Sequence, residues 1–527
     1  MKGGSIVTYA IDLFCGAGGF SEGIIQAGFE IVFSSDKSPE VMKTYTNRHK
    51  KLGLIEGVNT HFELADIREL TGDIIFKSIN NLKKFKDNKV RRGDIDVTFG
   101  GPPCQGFSKA GKRDANDPRN MLFHEYLRII QDICPKYVVM ENVEGFMSME
   151  MLDFPSVIEN KKYSGQNLVK DILQKELKVL GYNVLMPRLL DASDYGVPQN
   201  RKRAVFIAWR KDMSEPSYPK PTTPNKDEKI TVREALAGIK NNRKSEYSIQ
   251  SKNGRTNNVL GETIPAKKIL NQKLSSHSKS VHQRFSMYKY GESTKMVIER
   301  IKNSNIEIKE LYPELFYETL FQVNKERNEK IIKEILDDMD INKEKFQKAR
   351  WLGDTNKLFG EMAVNNTDPN VHNKYIEKLA NRLNCTLEEA EYFNAKCDER
   401  LNYYISSEDL EQRFRTGKNL TDDIMEALFT RKNSRKRLDP EDRAPTMVTL
   451  PDDFIHPYED RILSVREMAR FQSFDDSFEF LGKRTTGGKK RKMEVPQYSQ
   501  VGNAVPPLMA KAIAQCIKSA LEKSEHR

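Results

Sequence analysis

The sequence predicts an α/β protein with a mixed, mostly parallel sheet covered on both faces, and three observations carry that expectation. Short β-rich runs recur between Tyr9 and Trp209: YAIDLF, EIVFSSD, FELADI, IDVTFGG, YVVMENV, YNVLMPRLL and RAVFIAW. Helical patterns lie between several of them, FSEGIIQAGF, EVMKTYTNRH and LVKDILQKELKVLG, the last with apolar residues at helical spacing and a glycine stop. Strands alternating with helices imply parallel neighbours with helices packed on both sides. A turn-like connection, not a helix, separates the final two runs, so an antiparallel pair is expected at the end of the sheet.

Composition narrows the function classes. With 527 residues and 38% hydrophobic content, the chain can build two or three domains with cores of their own. It has no run of 18 or more apolar residues, and MKGGSIVTYAIDLF enters a strand directly, without the charged, apolar and cleavage regions of a signal peptide. A soluble protein that stays where it is made is expected, with no membrane partner. The six cysteines, at 15, 104, 134, 385, 397 and 516, form no C-x-x-C pair and no Cys/His ladder, so neither a disulfide scaffold nor a metal site is indicated. A net charge of +11 favours a polyanionic partner, nucleic acid first, because clustered Lys and Arg neutralise phosphates and release counterions.

Texture changes along the chain. EPSYPKPTTP, following Ser214, reads as a proline-rich linker, and a long segment dominated by Lys, Glu and Asn follows it. Within that segment KMVIERIKNS, NEKIIKEILDDMD and KYIEKLANRLNCTLEEAEYFNAKC carry helical periodicity, which suits ordinary exposed helices as well as a binding surface. From about Arg443 a compact style returns, through ILSVREMARFQSF to an apolar-faced terminal helix. The chain is therefore expected to leave its first domain and come back to it.

Candidate site residues cluster after the strands. In DLFCGAGGF, glycines 16, 18 and 19 permit a sharp turn and close approach of a ligand, and the helix that follows offers free N–H groups. A nucleoside-type cofactor suits that turn, although G-x-G-x-x-G is not matched. Asp36, after the second strand, stands where such folds place a carboxylate for ribose hydroxyls, and Asp66, after the third, suits an adenine amino group. GGPPCQGFS follows the fourth strand. Its cysteine invites four readings: disulfide partner, metal ligand, buried small hydrophobe and nucleophile. The two prolines stiffen the approach and aim the following side chain, which favours a reactive thiol at Cys104. The next strand ends in ENV, with Glu141, and VPQNRKRAV places Arg201 and Arg203 two residues apart on one face of an extended segment.

DLFCGAGG, GGPPCQGFS, ENV, QNRKR and QVGNAVPP occur in the order and approximate spacing of the DNA (cytosine-5)-methyltransferases, bacterial restriction-modification type, and the chain resembles that family over about 1–210 and 440–527. The resemblance implies a Rossmann-like S-adenosylmethionine-dependent methyltransferase fold with a large, mainly helical inserted target-recognition region. It implies a catalytic domain in two parts, 1–210 and 441–527, around a target-recognition region at 211–440 that holds a helical insertion at about 295–425. In such enzymes the counterpart of Cys104 attacks carbon 6 of a cytosine as thiolate, that of Glu141 holds or protonates ring nitrogen 3, and those of Arg203 and Arg201 contact the base. Carbon 5 takes the methyl group of S-adenosylmethionine, leaving S-adenosylhomocysteine; no metal is implied.

For the cofactor pocket the resemblance implies Phe14 against adenine and close approach at Gly16, Ala17 and Gly19. It implies Asp36 on the ribose, Asp66 and Ile67 on the adenine, and Pro103, Leu122, Asn503 and Val505 as the remaining wall. Asp36 departs from the commoner glutamate, and Lys37 from a common aromatic, which predicts weaker adenine stacking on that side. The target cytosine of double-stranded DNA must be flipped out. The loop from Gln105 to Asn120, with Gln105, Ser108, Lys109, Lys112, Arg113 and Arg119, is expected to close on DNA phosphates.

Three other readings compete. A tRNA cytosine-5 methyltransferase would share the motifs but ordinarily has a compact variable region. A catalytically silent binding protein would be expected to have lost one of Cys104, Glu141, Gln199, Arg201 and Arg203. A nicotinamide-dependent oxidoreductase rests only on the α/β pattern and a ribose carboxylate. Because the first motif begins at about residue 12, a prokaryotic, cytoplasmic enzyme is expected, with a cognate restriction endonuclease as a possible partner.

Overall fold

The computed structural model describes residues 7–103, 121–157, 161–339, 369–401, 405–430, 432, 434–486 and 494–525, with 369–371 described for backbone alone. Two compact units are present, one formed by residues up to 273, 440–451 and 464 onward, the other by 274–439 and 452–463.

The first unit is built on eight strands: β1 (Tyr9–Leu13), β2 (Glu30–Asp36), β3 (His61–Leu64), β4 (Val97–Gly100), β5 (Tyr137–Val143), β8 (Tyr182–Val184), β9 (Arg188–Asp191) and β10 (Lys202–Arg210). Between β5 and β8 the chain also forms a separate hairpin of β6 (Glu150–Pro155) and β7 (Lys162–Leu168). The sheet runs β3-β2-β1-β4-β5-β10-β8, with β9 also on β10; β1 to β5 are parallel and β10 is antiparallel to its neighbours. The expected mostly parallel sheet with an antiparallel end is thus present. YNVLMPRLL breaks into β8 and β9 because Pro187, between them, supplies no ladder donor.

Alternating side chains serve two apolar layers. On β10, Ala204, Phe206 and Ala208 face the layer formed with α3 (Gly72–Asn80), α4 (Leu122–Ile133) and α5 (Val169–Val179). Val205, Ile207 and Trp209 face the opposite layer, with α1 (Gly19–Gln26) and the C-terminal helix Pro507–Glu525. Both faces are buried, which is why these strands read as nearly continuous apolar runs. The return of the chain end is held by a close helix contact: a Cβ on Gly23 would lie 2.4 Å from Ala510 Cβ and Lys511 N. The helix α2 (Pro39–Lys51) begins where Ser38 Oγ accepts from Val41 N–H and Pro39 opens the first turn.

EPSYPKPTTP is not a free linker. Tyr218 donates to the Val205 carbonyl, Tyr195 to the Pro219 carbonyl, and the Asp194 carbonyl accepts from Thr222 and Thr223. Its prolines cannot donate to a ladder, so the segment is fastened by side chains and by its few remaining amides. The first unit continues through residue 273.

Among its described residues the second unit is mainly helical and forms two apolar clusters. One gathers Phe285, Ile301, Phe316, Phe414, Ile424 and Leu428; the other gathers Ile332, Leu336, Ile376, Leu379, Phe393 and Cys397. The periodic stretch 374–397 is two helices, Pro369–Leu383 and Leu387–Arg400. Asn384 at φ 54° turns the chain out of the first, and a capping box of Thr386 with Glu389 starts the second.

Candidate active site

A cleft of about 940 Å³ opens in the first unit at the carboxyl ends of β1, β2, β4 and β5. The crossover from β1 to β4 reverses the direction of strand order there, the position at which open α/β sheets take ligands.

The turn after β1 forms one wall. Phe14 (φ 56°), Gly16 (φ 53°) and Gly18 (φ 96°) all take left-handed backbone, which wraps the chain tightly before α1. A Cβ at Gly16 would meet nothing within 4 Å, so the cleft reaches the backbone itself. Asp36, at the end of β2, crosses to this turn: its Oδ2 accepts from Gly16 N–H at 3.2 Å and its Oδ1 from Ser38 N–H at 2.9 Å. Burial lifts its pKa, against the pull of those two amides. Below the turn, buried Asp12 accepts from Ser21 Oγ, and burial raises its pKa to about 7.

Asp66 and Ile67 line the cleft after β3. Arg68 donates from Nε to Asp66 Oδ1 at 2.8 Å and from a terminal nitrogen to Oδ2 at 2.7 Å, and these bonds hold the carboxyl at a pKa of about 2.

The opposite wall is made by β4, β5 and β10. Gly100 ends β4 against the Tyr126 ring, where a Cβ would lie at 2.4 Å. Asn142 donates to the Pro102 carbonyl at 3.1 Å, anchoring the stiff segment that leads to residue 104. Glu141 is buried, and Arg203 Nε stands 2.6 Å from its Oε1. Burial lowers the pKa of Arg203, and the neighbouring carboxylate opposes that shift. A Cβ at Gly101 would come to 3.3 Å from Glu141 Oε2, so the carboxyl faces an open backbone. The cleft therefore joins a nucleoside-like end, with Phe14, Asp36 and Asp66, to a charged end with Glu141 and Arg203.

A family model of the C-5 cytosine-specific DNA methylases matches residues 9–318 and 313–519. The chain belongs to that family. This methyltransferase is 27% identical to the type II methyltransferase M.DdeI of Desulfomicrobium norvegicum, over 96% of this chain and 88% of the relative. It is also 27% identical to M.AgeI of Thalassovita gelatinovora, over 97% and 99%. M.FnuDI of Fusobacterium nucleatum shares 35% identity over 44% of this chain and 56% of its own. A solved structure described as a prophage-encoded DNA modification methyltransferase of E. coli has the same fold, with a TM-score of 0.53 and 20% identity over 98% and 99% of the two chains.

Membership makes this a DNA cytosine-5 methyltransferase that uses S-adenosylmethionine. The cleft fits that cofactor: an apolar ring at Phe14, a carboxylate at Asp36 and an open cradle at Gly16 suit an adenosine with an amino-acid tail. Of the residues expected in the cofactor pocket, Phe14, Gly16, Ala17, Asp36, Asp66, Ile67, Pro103, Leu122, Asn503 and Val505 line the cleft. Gly19 does not. It packs into the Val505 carbonyl, where a Cβ would lie at 2.3 Å, so its small size serves helix packing.

Arg201 lines the same cleft, and its guanidinium is turned to the protein's own carbonyls. It is 2% exposed, and its terminal nitrogens donate to the carbonyls of Met447, Gly502 and Ala504 at 3.0–3.1 Å. Burial pushes its pKa well down, with Arg203 adding to the shift. The guanidinium is a clasp between distant segments. Gln199 acts with it, accepting from Met447 N–H and donating to the Phe471 carbonyl and the Gln472 side chain. Arg68 went unnoticed in the sequence; its only signal is a cation two residues after Asp66. Cys104, Gln105, Ser108, Lys109, Lys112, Arg113 and Arg119 lie outside the described residues. Among the described residues, no helix is long and apolar enough to cross a membrane, and no group of three His, Cys, Asp or Glu could hold a metal ion.

Proposed function

We propose that this methyltransferase modifies one specific double-stranded DNA sequence as part of a restriction-modification system, in a prokaryotic cytoplasm, through a covalent adduct at Cys104. The observation that supports this reading best is the Glu141–Arg203 pair in the same cleft as the nucleoside-like wall. The type II names of M.DdeI and M.AgeI support the pairing with a restriction endonuclease.

The cofactor is held by Phe14 against adenine, Asp36 on the ribose, Asp66 and Ile67 at the base edge, and Gly16 and Ala17 beside the methionine portion. Pro103, Leu122, Asn503 and Val505 complete the wall. When bound, S-adenosylmethionine supplies the methyl group that carbon 5 of cytosine accepts.

The chain's own residues do the rest. The target base is flipped out of the duplex, at a cost of a few kcal/mol of unstacking. Cys104, as thiolate, forms a bond to carbon 6 and raises electron density at carbon 5. Glu141 holds a proton at ring nitrogen 3 while charge builds, and Arg203 orients Glu141 and stabilises that charge. Loss of the carbon 5 proton and departure of the Cys104 thiolate restore the ring. Gln105, Ser108, Lys109, Arg113 and Arg119 contact phosphates, and the helical region within 211–440 reads the target.

The test is transfer of labelled methyl from S-adenosylmethionine to mixed-sequence duplex DNA and, in parallel, to tRNA, with Cys104→Ser as control. Label appearing as 5-methylcytosine in duplex DNA, absent with the variant, is expected; bisulfite sequencing then finds the site. Substantial turnover by Cys104→Ser would remove the nucleophile assignment, and label on tRNA alone would replace the substrate.

A further inference from the structure

The turn after β3 carries an exposed ion pair that takes no part in the transfer chemistry. Arg68 donates to Asp66 three times, from its own N–H at 3.2 Å, from Nε at 2.8 Å and from a terminal nitrogen at 2.7 Å, engaging both carboxylate oxygens. The Arg68 side chain is 63% exposed and that of Asp66 is 21% exposed. An exposed pair of this kind adds little to folding. Its consequence is geometric: a bidentate guanidinium fixes the plane of a carboxylate, and with the Arg68 N–H also on Oδ1 the acceptor direction left free lies on Oδ2. The backbone of the same turn is held from outside as well, by Arg128 on α4, which donates to the Ile67 carbonyl at 2.9 Å. Asp66, Ile67, Arg68 and Lys37 all line the cleft.

We propose that Arg68 is a positioning residue that sets the base selectivity of the cofactor cleft, holding the Asp66 carboxylate in the one orientation that takes an adenine and rejects a hypoxanthine. The inference rests on the reading that Asp66 meets the cofactor base. A carboxylate only accepts hydrogen bonds, so the exocyclic amine of adenine satisfies it. Hypoxanthine presents a carbonyl oxygen at the same place, and two acceptors then face each other unpaired. Without the Arg68 guanidinium the residue 68 N–H still holds Oδ1, but the carboxylate can turn about that one bond, so that it no longer meets the amine well and no longer opposes the carbonyl. Lys37 cannot replace the fork, because an ammonium is a point donor.

The test is calorimetric binding of S-adenosylhomocysteine and S-inosylhomocysteine to the full chain and to its Arg68→Ala, Arg68→Lys and Asp66→Ala variants. The unmodified protein is expected to prefer the adenosyl ligand by roughly 100-fold or more, as sites built around a ligand N–H do. Arg68→Ala should reduce that preference about tenfold, mainly by weakening the adenosyl ligand, the effect of one charge-assisted bond losing its alignment. Arg68→Lys should fall between. Asp66→Ala should nearly abolish the preference. Full preference in Arg68→Ala, or equal weakening of both ligands, overturns the role of Arg68 while leaving Asp66 on the base. Full preference in Asp66→Ala overturns the reading of Asp66, and the proposal with it.

Discussion

Arg203 Nε lies 2.6 Å from Glu141 Oε1 across the antiparallel β5–β10 pair, in which Val205 opposes Glu141 and Arg203 opposes Val143. The pair is thus diagonal, one step off the direct cross-strand partner, and both side chains reach the cleft from adjoining strands. Their charges compensate each other in a buried place only while both are present. Glu141→Gln keeps the shape and removes the acid; methyl transfer in single turnovers should slow by roughly 10²–10⁴ while S-adenosylhomocysteine affinity holds. Arg203→Ala should cost at least as much, because it also strands a buried carboxylate. Near-normal turnover in Glu141→Gln would remove Glu141 from the chemistry.

Arg201, two residues earlier on the same strand end, should behave differently. Its guanidinium joins the carbonyls of Met447, Gly502 and Ala504, none of them a substrate group. Arg201→Ala orphans three buried acceptors and should destabilise the protein by about 2–4 kcal/mol. Urea unfolding measures this, and activity per folded molecule should fall far less than in Arg203→Ala. A stable but inactive Arg201→Ala would restore Arg201 to the base-contacting role.

Gly19 and Gly23 lie on one helix and separate packing from binding. A Cβ at 19 would meet the Val505 carbonyl at 2.3 Å, and one at 23 would meet Ala510 and Lys511 at 2.4 Å. Each alanine substitution should cost about 1–3 kcal/mol through overpacking. Gly19→Ala should also weaken S-adenosylhomocysteine binding, because Val505 lines the cleft, whereas Gly23→Ala should not. Thermal melts and calorimetry on both variants check the contrast; equal affinities would show that the 503–505 wall is indifferent to the shift.

Asp12 gives the stability a pH dependence of known sign. Its pKa in the fold, about 7, lies above the ordinary 3.8, through burial first and the nearby Asp36 carboxylate in addition, while Ser21 pulls it down. Its Oδ1 has no hydrogen-bond partner among the described residues. The folded chain therefore keeps the proton longer than the unfolded chain does. The contribution is present in full below about pH 4 and is lost as pH rises through 7. Asp12→Asn cannot ionise, so its stability relative to the parent should grow between pH 4 and pH 8, by on the order of 2–4 kcal/mol. Melts of the ligand-free proteins at both pH values decide it; a constant difference would mean that Asp12 stays ionised throughout.

Much of the site was legible along the chain because its parts are local. Gly16 and Gly18 announce a left-handed turn, Asp36 ends a strand within hydrogen-bond reach of it, and Glu141 stands near the end of the strand beside the segment leading to Cys104. What escaped was contact at long separation. Nothing near Arg201 signals that Met447 and Gly502 will need donors, and nothing in GAGG tells that Gly19 serves Val505 while Gly16 serves the cleft. The proline-rich stretch after Ser214 looked like a linker because its amides are few, yet Tyr195 and Asp194 give it partners from an earlier turn.

Taken alone, the sequence determined the parallel α/β sheet, the order of its strands' motifs and the residue types gathered at their carboxyl ends. Those properties follow from periodicity and from steric limits at glycine and proline, which act within a few residues. Tertiary structure alone decided which of two neighbouring arginines reaches Glu141 and which holds the chain together. Side-chain length and charge are the same for both. Alternation along β10 begins only after the turn, so the fate of each guanidinium depends on which remote carbonyl or carboxylate the fold brings within hydrogen-bond distance.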